Sequence, residues 1–245
     1  MAHPFVMCAA HRAAGKEYDP MKHIGCKIVR DFPRPDPALV ERFRELPVAN
    51  IDDCMGRTAA VDPAIKPLNN AKLLGPAFTI KVPEGDNLMF HKAMDMAKPG
   101  DVIVIDAGGD DKRAIFGALM ISYCKVRGLA GVIVDGSIRD AEELSGMDFP
   151  VYARGITPNG PYKNGPGEIN TPIAFGGKVI CPGDIIVGDR DGIVVIKPED
   201  AEYLAEKAEG VLAMENGILK KILEEGSYVR DWVDEKLESI HCEIV

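Results

Sequence analysis

Three β-branched residues in a row, Val132-Ile133-Val134, stopped by Asp135-Gly136, constrain this chain more than any other stretch. Such a run pairs well inside a sheet and the Asp-Gly step signals a turn, so Gly131 to Asp140 reads as a buried strand delivering polar residues to a sheet rim. The pattern recurs. Strands are predicted at 77–82, 102–105, 132–134, 151–153, 179–181, 185–187 and 193–196. Pro99-Gly100-Asp101 precedes one of them and Pro182-Gly183-Asp184 another, two copies of a turn-plus-strand unit and too few for a solenoid. Helical patterns separate the early strands and the later half is strand-rich, which indicates a mixed α/β domain. Strict βαβ alternation does not persist, so a doubly wound nucleotide fold is not preferred.

The helical patterns have identifiable starts. Residues 1–36 form an N-terminal arm, closed by Phe32-Pro33-Arg34-Pro35-Asp36-Pro37, whose prolines forbid helix or interior strand. Asp36 can cap and Pro37 suits a first helical position, and Leu39, Phe43 and Leu46 then repeat at helical spacing through Glu45. A second short helix is expected over Val48 to Met55, capped by Asn50 or Asp52. Asp86-Asn87 opens a helix carrying Leu88, Met89, His91, Met94 and Met96, with His91 read as a partly buried histidine without a neighbouring ligand. A helix built on Ile115, Phe116, Leu119, Met120 and Tyr123 is expected between Asp110 and Arg127. It is preceded by a flexible loop, Gly108 to Lys112, that fits no P-loop or dinucleotide fingerprint. Gly155 to Pro172, rich in Gly, Pro and Asn, is long for a compact domain and reads as functional. After Lys197-Pro198, Ala201, Leu204, Ala205, Ala208 and Leu212 line one helical face toward Gly217; a second segment runs through Leu223 and a last one from Trp232 to Ile240. This tail is expected to pack on the sheet or on another subunit.

Composition excludes several classes of function. The 245 residues carry 38 acidic against 29 basic side chains, a formal charge of −9 with no long basic tract, so nucleic acid is not an expected partner. The six cysteines contain no C-x-x-C pair, which argues against structural zinc and for free thiols in a reducing compartment. The apolar patch Phe5 to Ala10 is too short for a secretory signal, and no run approaches the roughly 20 residues of a membrane helix. A cytoplasmic protein without membrane contact is expected.

The chemistry is placed at Arg139-Asp140. A guanidinium fork matches a carboxylate, and a carboxylate's hard oxygens match Mg²⁺ or Mn²⁺, a combination suited to a small oxoacid. On local spacing alone the pair also reads as a surface ion pair at the start of a helix over Ala141–Ser145.

Pro99-Gly100-Asp101-Val102 to Gly109, Phe116-Gly117-Ala118-Leu119-Met120, Gly131 to Asp140 and Pro182-Gly183-Asp184 to Ile196 together resemble the 4-hydroxy-4-methyl-2-oxoglutarate aldolases and the similar regulator of ribonuclease E activity A (RraA-like) proteins. The likeness covers roughly residues 40 to 215. It implies a swivelling β/β/α domain, an αββα sandwich, over 37–215 with a C-terminal helical extension over 216–245, assembled as a homotrimer or homohexamer with sites between subunits. It also implies Mg²⁺ or Mn²⁺, retro-aldol cleavage to pyruvate and decarboxylation of oxaloacetate. By this resemblance Arg139 would hold the substrate carboxylate and help polarise the ketone, Asp140 would bind the metal, and the backbone amides of Gly117, Ala118, Leu119 and Met120 would hold the pyruvyl part. The family's active members are similar in having an acid, then twenty residues, then the Arg-Asp pair, with a glycine six residues ahead of the acid. Here those positions are Ala118 and Lys112, whereas Glu143 matches the closing acid. The resemblance therefore leaves three readings: a metal-dependent lyase with Asp110 or Asp111 standing in for the acid, a protein-binding regulator without chemistry, and a relative repurposed for a different oxoacid.

Overall fold

A computed structural model describes residues 24–244. Cys8, the patch Phe5 to Ala10 and the beginning of the arm lie outside the described residues. The described residues open with a short edge strand β1 (Cys26–Ile28), then helices α1 (Pro37–Glu41) and α2 (Val48–Cys54), strands β2 (Lys66–Pro67) and β3 (Leu73–Lys81), and helix α3 (Leu88–Met96). It continues through β4 (Val102–Ala114), α4 (Ala118–Val126), β5 (Gly131–Ile138), α5 (Ala141–Ser145) and β6 (Val151–Ile156). Short strands β7 (Gly167–Ile169), β8 (Ile173–Phe175), β9 (Lys178–Ile180), β10 (Ile185–Gly188) and β11 (Ile193–Ile196) follow, and helices α6 (Ala201–Glu225) and α7 (Trp232–Ser239) close the chain. No described helix is long and apolar enough to cross a membrane.

Strands β3, β4, β5 and β6 pair in parallel. The first half of β3 also pairs antiparallel with β10, and β10 with β11, so β3 joins two sheets. Alternation along these strands fixes the layers, because successive side chains point to opposite faces. Ile103 and Ile105 of β4, with Val132 and Val134 of β5, face one core shared with α3 and α4. Val102, Val104 and Ile133 face a second core, against Ile186 of β10 and Ile193 and Val195 of β11. Ile185, Val187, Val194 and Ile196 face a third core under α1, α2 and α6. The order is helices, sheet, sheet, helices: the αββα sandwich.

Several local expectations change. α1 ends at Glu41, and a run of turns carries Phe43 and Leu46 into the core. Asp36 caps α1, accepting from Ala38 N. Neither Asn50 nor Asp52 caps α2; Val48 N donates instead to Asp189 Oδ2 from the turn after β10, at 3.0 Å. The loop expected at 108–112 is strand. β4 runs to Ala114, pairing Asp110 with Gly136 and Ala114 with Ser137 across two register shifts. Gly108 and Gly109, at φ 69° and 75°, absorb the first irregularity. The helix expected from Asp110 accordingly starts only at Ala118, and Ile115 and Phe116 are buried in the segment between β4 and α4. His91 is exposed rather than partly buried; the desolvation it has, with Lys163 nearby, lowers its pKa. Beyond Lys197, α6 is one helix through Gly217. Its first turns are buried on the third core, and the last turns and α7 are exposed. The proline segment is anchored by Arg34, which grips the buried Asp101 with two hydrogen bonds of 2.7 Å, and by Phe32, packed edge-on against Phe78. Cys26, Cys54, Cys124 and Cys242 are free thiols.

Candidate functional site

The site forms where β5 runs out. Arg139 N donates to Phe116 O at 3.0 Å, which tethers the end of β5 to the segment entering α4. Asp140 then adopts the left-handed region, φ 57° and ψ 37°, which aspartate tolerates better than most residues. Although it occupies the N-cap position of α5, its side chain makes no bond to that helix. Its Oδ2 instead accepts from Ala118 N, the first residue of α4, at 3.0 Å. A carboxylate at a helix N-terminus is favoured by the dipole and fills one of the orphan donors of the first turn. Gly117 makes this approach possible: a Cβ there would lie 2.1 Å from Asp140 Oδ2 and 3.0 Å from Arg139 Cγ.

Arg139 Nε stands 3.8 Å from Asp140 Oδ2, and the two side chains are 47% and 42% exposed. The pair is therefore too long and too wet to consume either group. All six residues singled out for the site, Gly117, Ala118, Leu119, Met120, Arg139 and Asp140, meet at the head of α4 and the end of β5. Ala118 is buried, Met120 half-buried and Leu119 is 87% exposed at the rim. The suggested stand-ins lie on β4: Asp110 is half-buried with Oδ1 accepting from Lys112 N, and Asp111 is exposed. Glu143 is exposed on α5. Among the described residues no group of three or more His, Cys, Asp or Glu stands together as a metal cluster.

The glycine- and asparagine-rich loop wraps this end of the sheet. Buried Asp86 holds it, accepting from Asn164 N and Gly165 N at 2.6 and 2.9 Å as well as from Leu88 N. Tyr162 O accepts from Asn87 N, and Tyr162 N donates to Gly85 O. Asn87 Nδ2 donates to Ile115 O at 2.9 Å, just ahead of α4, while its buried Oδ1 has no partner among the described residues. Arg113 lies over the Tyr162 ring at 4.1 Å and donates to Gly160 O at 3.1 Å. Arg113, Gly160 and Tyr162 escaped the sequence reading, and Asp86 and Asn87 entered it only as a helix start. The loop's composition announced its importance, but pairings over about fifty to eighty positions leave no local pattern.

A second polar row crosses the same strand ends on the opposite face. Lys81, Asp106 and Asp135 are register neighbours on β3, β4 and β5. Arg154 of β6 adds bonds to Asp135 (2.5 Å) and Asp62 (2.9 Å), and Gly176 N donates to Asp135 Oδ2. Burial raises the Asp106 pKa, partly offset by the bond from Gly108 N. This row shares the side of Ile133 and Val104, so it closes the core between the sheets.

Comparison with known proteins agrees with this fold. The RraA-like family model, described as Aldolase/RraA, matches residues 48–195. A protein of Halalkalibacterium halodurans named as an inferred 4-hydroxy-4-methyl-2-oxoglutarate aldolase is 46% identical over 170 residues, 69% of this chain and 81% of the relative. An Arabidopsis thaliana protein of the same inferred activity is 36% identical over 51% of this chain and 75% of its own. Among solved structures, the RNA-processing inhibitor RraA of Thermus thermophilus superposes with TM-score 0.58 at 27% identity, covering 62% of this chain and 93% of that one. An unusual member of the RNase ES inhibitor RraA protein family from Streptomyces coelicolor gives TM-score 0.69 at 27% identity, over 77% and 100%.

Proposed function

The chain belongs to the RraA-like (Aldolase/RraA) family, and we propose that it is a divalent-metal-dependent lyase that cleaves or decarboxylates a pyruvyl-containing oxoacid. The observation carrying this reading is the convergence of one carboxylate, one guanidinium and one helix N-terminus at Asp140, Arg139 and α4. Asp140 is held by a backbone N–H, so the arrangement does not depend on the side chain at 118.

The residues present fit Mg²⁺ or Mn²⁺. Asp140 offers a half-exposed carboxylate with one oxygen oriented by Ala118 N, and such ions often take one protein carboxylate and several waters. When bound, the ion would stabilise the negative charge that develops on the ketone oxygen as a pyruvate enolate forms. Arg139 would bind the carboxylate and share that charge, while the first-turn amides of α4, at Leu119 and Met120, would orient the pyruvyl end. Decarboxylation needs only this charge stabilisation: the bond to the departing CO₂ breaks and its electrons enter the enolate, which then takes a proton. Retro-aldol cleavage also needs a base for the C4 hydroxyl, which Ala118 cannot supply. Decarboxylation is therefore the reaction this site should retain more fully.

The test is pyruvate release from oxaloacetate and from 4-hydroxy-4-methyl-2-oxoglutarate, with Mg²⁺, Mn²⁺ or EDTA, against an enzyme-free metal control. Release from oxaloacetate is expected to require metal and to drop at least a hundredfold in Arg139→Ala and Asp140→Asn; the latter keeps an oxygen for Ala118 N. Ala118→Glu should raise cleavage of the hydroxy acid more than decarboxylation. Release that ignores both EDTA and Asp140→Asn would sink the proposal.

Ala118 also favours a second reading, a regulator that binds protein without chemistry, for which the expected result is a stable partner in a pull-down and no pyruvate above the control. For either reading we place the family domain at 37–215, with the arm before it and the helical extension at 216–245 after it. The assembly we propose is a homotrimer or homohexamer. Leu119, Tyr123 and Val126 leave an exposed apolar stripe along α4 beside the site, as a subunit boundary would use. The free thiols suit a reducing, cytoplasmic compartment.

A further inference from the structure

Resting on the reading of Arg139 given above, we propose that Arg113, which meets the same Gly160 as Arg139, takes the second carboxylate of the substrate and so selects oxoacids that carry two. The two guanidinium groups approach the same residue: Arg113 Nη1 donates to Gly160 O at 3.1 Å, and a Cβ on Gly160 would come within 3.4 Å of Arg139 Nη1. The glycine thus has two guanidinium groups beside it, with no side chain of its own between them and the backbone. A dicarboxylic oxoacid carries two negative charges to pair with two guanidinium groups, and pyruvate carries one.

Arg113 is built into place rather than left on the surface. Its stem lies against Gly85, where a Cβ would sit 2.6 Å from Arg113 Cδ. The guanidinium face is covered by Tyr162, centroid at 4.1 Å, and Nη1 is shared between Gly160 O and, at 3.4 Å, Asn159 Oδ1. Among the described residues it forms no ion pair, and Nε and Nη2 have no acceptor. Those two donors form the edge of arginine that meets a carboxylate with two parallel bonds. Stacking immobilises the plane without using that edge, which lowers the ordering cost of binding.

Calorimetric binding of pyruvate and of 2-oxoglutarate, which keeps the pyruvyl end and adds a distal carboxylate, tests this with Mg²⁺ present. The wild type should bind 2-oxoglutarate roughly tenfold more tightly than pyruvate, the worth of a charge-assisted pair. Arg113→Met retains the stem over Gly85 and should erase that advantage with pyruvate affinity unchanged, whereas Arg113→Lys should restore part of it. Thermal unfolding midpoints identify any variant that fails to fold. Equal losses for both acids would show that Arg113 only positions the loop, and an undiminished preference in Arg113→Met would equally overturn the proposal. Pyruvate binding that survives Arg139→Ala would sink the assignment of Arg139 instead, and no binding of either acid to the wild type would overturn both.

Discussion

Gly117 is the residue on which the site geometry turns. A Cβ there would lie 2.1 Å from Asp140 Oδ2, so its absence leaves the space in which that oxygen reaches the head of α4. In Gly117→Ala the carboxylate must leave Ala118 N or the backbone must shift, since the obstructing atom belongs to a side chain fixed by its own left-handed backbone. Overpacking of this kind costs about 1–3 kcal/mol. A lower Tm together with at least tenfold weaker Mg²⁺ dependence of pyruvate release is expected; unchanged values for both would show that Asp140 finds the same position without the gap. The place of Arg139 and Asp140 at the end of β5 was legible in the sequence because a strand, a turn signal and two charges lie within ten residues. Asp140's partner at position 118 entered only through resemblance, and the capping of α4 by a residue on another element was not legible at all.

At the scale of elements, a continuous apolar, largely β-branched run was decisive where both faces of a strand are buried, as in β4, β5, β10 and β11. It failed where exposed glycines and acids continue a strand, as at Gly108 to Lys112, because the pairing of Asp110 with Gly136 satisfies the backbone without a sequence signature. α6 shows the opposite error. Gly217 reads as a stop, yet the helix passes through it, with nothing within 4 Å of a Cβ there and no positive φ. Alanine at an exposed helix interior gains about 1 kcal/mol over glycine. Gly217→Ala should therefore slow amide exchange across 217–222 roughly fivefold, a factor set by that energy; faster exchange would mean a real break in α6.

For the whole molecule, the four layers bury the strand ends from both sides, and Asp106 bears the consequence. Its pKa is raised from 3.8 by burial, which outweighs the lowering by the bond from Gly108 N and by the Lys81 charge; the Asp135 charge adds a lesser rise. An acid whose pKa is raised by folding stays protonated longer in the folded chain. Stability from this group therefore falls as pH climbs from the unfolded value toward the folded one, and the penalty is complete above the folded pKa. Asp31 and Asp62 act in the opposite sense, since hydrogen bonds from Arg34 to Asp31, and from Ala64 N and Arg154 to Asp62, lower their pKa values. The acid limb of the wild type is thus a sum in which the Asp106 contribution is hidden. Asp106→Asn isolates it, because the amide oxygen can still accept from Gly108 N while the charge is gone. The variant should unfold at a higher temperature than the wild type at neutral pH, and the difference should shrink to nothing below the ordinary carboxylate value of 3.8. A gain independent of pH would assign the effect to packing, and a loss at neutral pH would mean that Lys81 beside it outweighs burial.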